Sequence, residues 1–164
     1  MSLELTIRNR QRTRTINRRL LREITTELVS GLLELDQVEL GIALVGAKEM
    51  ARVNWQFLQH EGSTDVITFD HSEEQSSRKR QKTLRRKICG ELFVCVDDAV
   101  AQVRSFRTTW QTEVVRYIVH GVLHLCGHDD HRETARRVMK REENRLVRLL
   151  GKKFSLRSLA RAGR

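Results

Sequence analysis

The stretch Glu113–Cys126, EVVRYIVHGVLHLC, is apolar on nearly every side, and a helix of that kind forms only in the middle of a packed domain. The rest of the chain has to be arranged around it. Two histidines interrupt the run. His120 and His124 are four residues apart, one turn along one stripe, the spacing at which two imidazoles converge on a single metal ion. Gly127, three residues after the second histidine, supplies a left-handed turn that reverses the chain, so His128, Asp129, Asp130 or His131 can be presented as a third ligand. A lone histidine on an apolar face is ordinarily a satisfied core residue. A metal, however, explains how two polar rings are satisfied within an apolar helix, and three protein ligands leave a position open for water. Such a site is hydrolytic rather than structural, with zinc the default for mixed imidazole and carboxylate donors.

The 164 residues leave room for one domain around that helix. Leu3–Arg8 alternates apolar and polar residues and reads as a half-buried strand. Ile16, Leu20, Leu21, Ile24 and Leu28 recur at helical spacing, and Gly31 marks the end of that helix. Val38–Val45 reads as a second strand, and Ala47–Leu58 as a short helix with Met50, Val53 and Phe57 inward. Asp65–Phe69 and Ile88–Val96 are rich in β-branched and aromatic residues and read as strands. Asp97–Phe106 is predicted as a helix, and Thr108 with Gln111 as a capping box for the central helix.

Charge bears on the partner. There are 31 basic against 21 acidic residues, a balance of +10, and 24 of the basic residues are arginine. The planar guanidinium matches phosphate oxygens, so this bias favours a nucleic-acid partner. His71–Lys87 reads as a solvated loop holding RKRQKTLRRK (78–87), in which 7 of 10 residues are basic and which can order on an anionic polymer. Either that run contacts RNA or it is a solubilising insertion. Cys89, Cys95 and Cys126 are odd in number and form no CxxC pair, so they read as packing residues rather than as disulfides or a four-thiolate site. No apolar run is long enough to span a bilayer, and Met1–Arg10 does not read as a secretion signal, which leads us to expect a cytoplasmic protein with no membrane partner.

The spacing H-x-x-x-H-x-x-G suggests a metzincin-like protease, but the position of the general-base glutamate is Gly121. The run His120–Gly121–Val122–Leu123–His124–Leu125–Cys126–Gly127–His128–Asp129–Asp130 instead resembles the HGxLHLxGxDH motif of the YbeY endoribonucleases, the rRNA maturation factors. Asn54 and Phe57, Thr64–Phe69 and Gly90–Val94 resemble the family's other blocks in order and spacing, so the likeness extends from Leu3 to about Leu150. It implies a zinc-dependent, single-strand-specific endoribonuclease that trims ribosomal RNA, including the 16S rRNA 3′ end, and assists ribosome quality control. Its partners would be single-stranded ribosomal RNA and the small subunit, with no DNA expected.

Two positions depart from the family's pattern. The third histidine of the family falls at Asp130, with His131 one step later, so the resemblance assigns the ion, one per chain, to His120, His124 and Asp130, with His131 the rival. Asp130 can also be read as a helix N-cap, because Glu133 would complete a capping box. Leu58 stands where many members carry an arginine thought to assist cleavage, so another cation, His60 or Arg85, would have to steady the phosphate. The general base is not identified; Asp65 and Glu91 are candidates. A non-catalytic, zinc-stabilised assembly factor is the alternative, and Leu58 favours it. The expected architecture is a single α+β domain over 1–150, a small mixed β-sheet packed against helices with the zinc site on a central helix facing a cleft, followed by a basic tail, 151–164.

Overall fold

Alternation in the first segment forms β1 (Ser2–Asn9), with Leu5 and Ile7 turned into the core. In the computed structural model, which describes residues 1–72 and 85–162, β1 pairs in parallel with β2 (Gln37–Val45), and β2 in parallel with β4 (Lys87–Cys95). The short β3 (Val66–Asp70) runs antiparallel to β4, giving the order β1-β2-β4-β3 and leaving β3 at one edge. The sheet is therefore mixed, as expected. Of the basic run, residues 78–84 lie outside the described residues.

The helices are α1 (Arg18–Thr26), α2 (Ala47–Val53), α3 (Val96–Gln102), α4 (Trp110–Leu125) and α5 (Glu133–Lys153). Asn17 caps α1, its Oδ1 accepting from the Leu20 amide at 3.0 Å. Two helices continue as wider π-helical turns, Glu27–Leu32 after α1 and Asn54–Leu58 after α2. Gly31 thus lies within the first of these turns, and the left-handed residue beyond it is Glu34. The cap of α4 sits one residue later than expected: Thr109 Oγ1 accepts from the Thr112 amide at 3.2 Å, while Thr108 donates to the Glu113 carboxylate. The helix that begins at Val96 ends at Gln102, short of Phe106.

α4 crosses one face of the sheet, enclosed by α1 and α5, and the main core lies between these layers. Leu123, Leu125, Leu146 and Leu150 are fully buried there, each contributing roughly 1.5–3 kcal/mol by removal from water. Gly121 lets α4 approach closely, since a Cβ at that position would lie 2.5 Å from Leu92 and 3.2 Å from the Thr68 hydroxyl. A smaller core on the opposite face joins Met50 and Val53 of α2 to Val45, Ile67 and Cys95. Phe57 does not enter it: the π-helical turn carries its ring to the surface, edge-on to Phe69. Within 151–164, expected as a basic tail, regular structure extends as far as Ala160. α5 runs on to Lys153, and a 3₁₀ turn (Leu156–Ala160) buries Leu156 and Leu159.

Cys95 and Cys126 pack as small apolar groups in the two cores. Burial raises the Cys126 thiol to about 12 and Cys95 to about 11, so neither is poised as a thiolate. Cys89, on the same strand face as Cys95, is half-buried and donates to Glu39. No helix among the described residues is long and apolar enough to cross a membrane.

Candidate metal centre

His120 and His124 project from the last two turns of α4 into an open cleft of about 820 Å³, whose other wall is β3, the edge strand. Their Nε2 atoms stand 3.1 Å apart. The end of the helix supplies the next component. Gly127 takes φ +106°, and the amides of Gly127 and His128 donate to the carbonyls of His124 and Leu123 at 3.0 Å each, the hydrogen-bond pattern of a Schellman turn. This reversal aims the His128 carbonyl at Nδ1 of His124, 3.1 Å away. It also returns Asp130 to the cleft with Oδ2 3.4 Å from His124 Nε2.

One ligand atom each from His120, His124 and Asp130 falls within 4.8 Å of the others, a grouping that could hold a metal ion. His131 is not in this group: its side chain is 90% exposed and its backbone amide donates to Asp129 Oδ1, though with Asp129 and Asp130 it forms a second, more exposed group that could hold an ion. Asp130 does not cap α5. The N-cap position is Arg132, and the Asp130 carbonyl instead accepts from Arg136.

The protons of the two rings are fixed from behind. The carboxylate of Glu143, on α5, is only 3% exposed, and its Oε1 lies 2.8 Å from His120 Nδ1. Oε2 accepts from Arg116 at 3.0 Å and from Lys140 at 2.8 Å. Burial alone would raise this carboxyl, but the hydrogen bonds from His120, Lys140 and Arg116 outweigh it and lower the pKa to about 2. An ionised Glu143 and the His128 carbonyl can only accept, so both histidines carry their proton on Nδ1. Burial first, and then the neighbouring His120, lowers the pKa of His124 and favours the neutral ring. Both Nε2 atoms and a carboxylate oxygen are thereby turned toward one another. That donor set fits a metal cation.

Glu143 escapes a reading of the motif because it lies 19 residues beyond His124. The signal is nevertheless present: Met139, Glu143, Leu146, Val147 and Leu150 form the buried stripe of α5, and an acid in such a stripe requires partners.

Around the ion-fitting group, the cleft is lined by Leu58, Asp65, Asp70 and Arg85 among others. Arg85 is the one arginine or lysine among the described lining residues. Its guanidinium, 9% exposed, donates to Asp70 Oδ2 at 3.0 Å and to Ser72 Oγ at 2.8 Å, and its amide donates to the Cys126 carbonyl. His60 does not line the cleft. Neither does Glu91, which sits on the sheet face away from α4 and pairs with Arg8 and His71.

Residues 6–151 match the family model described as Endoribonuclease YbeY. The chain is 37% identical over 103 residues to the endoribonuclease YbeY of Parabacteroides distasonis, covering 63% of this chain and 65% of that one. It is 32% identical over 113 residues to that of Chlorobium luteolum, covering 68% and 74%. The chain thus spans just under two-thirds of the first of these relatives. A solution structure from Thermotoga maritima shares the fold, with a TM-score of 0.64 at 24% identity over 92% of this chain and 91% of that one.

Proposed function

The chain belongs to the Endoribonuclease YbeY family, and on that footing we propose that it is a zinc-dependent endoribonuclease that cleaves single-stranded ribosomal RNA in the cytoplasm. Its role would be 16S rRNA 3′-end maturation and ribosome quality control, with the small subunit as partner. The observation that carries this reading is the convergence of three ligand-type atoms, His120 Nε2, His124 Nε2 and an Asp130 oxygen, in an open cleft.

These three residues would hold one zinc ion. When bound, zinc supplies Lewis-acid activation of water or of a phosphoryl oxygen. The remaining work falls to the protein. Glu143 and the His128 carbonyl retain the Nδ1 protons and so keep both Nε2 lone pairs facing the cleft. Arg85, held rigid by Asp70 and Ser72, offsets charge on the phosphate in the role that Leu58 cannot fill. Among the lining carboxylates, Asp70 is engaged by Arg85, Asp129 by the turn, and Asp130 is assigned to the ion. Asp65, just before β3, uses Oδ1 to accept from the Val66 amide at 2.7 Å and is the candidate proton acceptor through its other oxygen.

Leu58 favours a second reading, a ribosome-assembly factor in which zinc only holds the fold. Incubation of the purified protein with single-stranded RNA, with and without chelator and beside His124→Ala, separates the two. Cleavage that chelation and the substitution both abolish supports the nuclease. Intact RNA throughout, with zinc bound, supports the assembly factor.

A further inference from the structure

The π-helical turn Asn54–Leu58 exposes three large apolar side chains within four residues: Trp55 (58%), Phe57 (56%) and Leu58 (46%). Leu58 lines the cleft, so the patch is continuous with the candidate metal centre. It is also held firmly. Asn54 is buried and donates from Nδ2 to the Gly62 carbonyl at 2.9 Å, the Gln59 amide donates to the Trp55 carbonyl at 3.0 Å, and Gln59 adopts a left-handed φ of 54°. The Phe57 ring stands edge-on to Phe69 at 5.1 Å, and Phe69 edge-on to Phe93 at 5.7 Å, an aromatic series rooted in the smaller core. π-Helical turns of this kind recur at functional sites, and rings held in place bind with little loss of conformational freedom.

The surroundings indicate what such rings receive. Arg52, exposed on α2, precedes the turn by two residues, and the exposed His60 follows it. An apolar protein partner is matched by a patch whose centre is depleted of charge. Flat rings beside an arginine and leading into a polar cleft suit a nucleotide, with its apolar base and anionic phosphate. A duplex hides its base faces, whereas a single strand presents them.

We propose that Trp55 and Phe57 form a base-stacking platform for single-stranded RNA whose backbone continues past Leu58 into the cleft, an inference that rests on the ribonuclease reading above. The platform would seat the nucleotides beside the scissile bond, with little preference among bases.

The test measures binding of a fluorescently labelled 2′-O-methyl RNA decamer and of the same decamer carrying abasic sites. The protein carries Trp110→Phe so that Trp55 is the sole tryptophan. Quenching of Trp55 emission by the base-bearing decamer is expected. Labelled-strand anisotropy with otherwise wild-type protein should show Trp55→Ala weakening binding about tenfold, the scale of a lost stack, and Phe57→Leu, which keeps the contact with Phe69 apolar, weakening it severalfold. Phe106→Ala, which removes an exposed ring elsewhere, should leave affinity unchanged. The abasic decamer should bind weakly and equally to wild type and Trp55→Ala. Equal affinity of wild type and both platform variants for the base-bearing strand, in protein that still cleaves RNA, overturns the platform alone. Unchanged RNA affinity with lost binding to small ribosomal subunits also overturns it and makes the patch a protein-docking surface. Wild-type protein that neither binds nor cleaves RNA sinks the ribonuclease reading itself.

Discussion

His120 Nδ1 and Glu143 Oε1 lie 2.8 Å apart, joining the centre of α4 to the buried stripe of α5 through one hydrogen bond. The bond fixes the tautomer and orientation of the His120 ring. Glu143→Gln keeps the shape and removes the charge, and should weaken zinc binding by about 10- to 100-fold, read by competition with a chromophoric chelator. Unchanged affinity would show that the ring needs no orienting partner. Glu143→Ala also removes one partner of Arg116, which keeps Asn144 and Glu113, and that of the exposed Lys140, and should cost about 2 kcal/mol in urea unfolding.

The third ligand can be separated from its neighbours by position. Asp130→Asn should reduce zinc content, whereas His131→Ala should not, because that ring points to solvent. His128→Phe should also retain the metal, since the contact made to His124 is through the backbone carbonyl. Elemental analysis of the three purified variants decides the matter, and zinc lost only in the His131 variant would contradict the geometry.

Arg85 is expected to act on turnover rather than on metal. Arg85→Ala should lower kcat by roughly 100-fold, the scale of a lost charge-stabilising donor, with zinc content unchanged. Because Asp70 would then lose a nearly buried partner, the variant should also melt earlier. Arg85→Lys, which keeps the charge but loses the planar fork, should restore stability more fully than kcat. A normal kcat in Arg85→Ala would remove Arg85 from the proposed mechanism.

Salt reports on the basic run. Replacing Arg78, Lys79, Arg80 and Lys82 with Gln should flatten the dependence of log affinity on log salt by about two to three units if all four meet phosphates, at roughly 0.7 per contact for single strands. Zinc content should not change. A slope equal to wild type would make the run a solvated insertion.

Two glycines set how closely helix and sheet approach, and they should differ in their tolerance. A Cβ at Gly90 would meet the backbone carbonyl of Phe69 at 2.4 Å, which has nowhere to move without disturbing β3. At Gly121 the nearest atom is a terminal methyl of Leu92, and the added methyl also favours the helix. Gly90→Ala should therefore destabilise by about 2–3 kcal/mol and Gly121→Ala by about 1 kcal/mol or less, measured by urea denaturation. The reverse order would contradict the packing described.

Much of this was legible in the sequence because it depends on period and spacing. The apolar run of α4, the i, i+4 histidines and the left-handed Gly127 are local properties, and the alternation of β1 and β2 needs no knowledge of what they pack against. Phe57 could not be placed by period, because the switch from α- to π-helical winding at Asn54 rotates every later side chain. The Thr108–Thr109 cap slipped by one residue because two adjacent threonines offer equivalent hydroxyls. Asp130 as an N-cap was excluded only by the tertiary path of the turn, and Glu143 became visible only when α5 was laid against α4. Arg85 and His60 were equal candidates until the sheet placed one beside the cleft and left the other outside it.

The bond from Glu143 to His120 also has a cellular consequence. Once α5 helps to shape an ion's binding pocket, the ion's free concentration becomes part of the chain's resistance to unfolding. At 100 times its dissociation constant, an ion that ignores the unfolded state adds about 2.7 kcal/mol. That is enough to change the fraction of chains open to proteases by about 100-fold. Zinc starvation would then act on this protein twice, silencing the cleft and shortening the lifetime of the molecules that carry it.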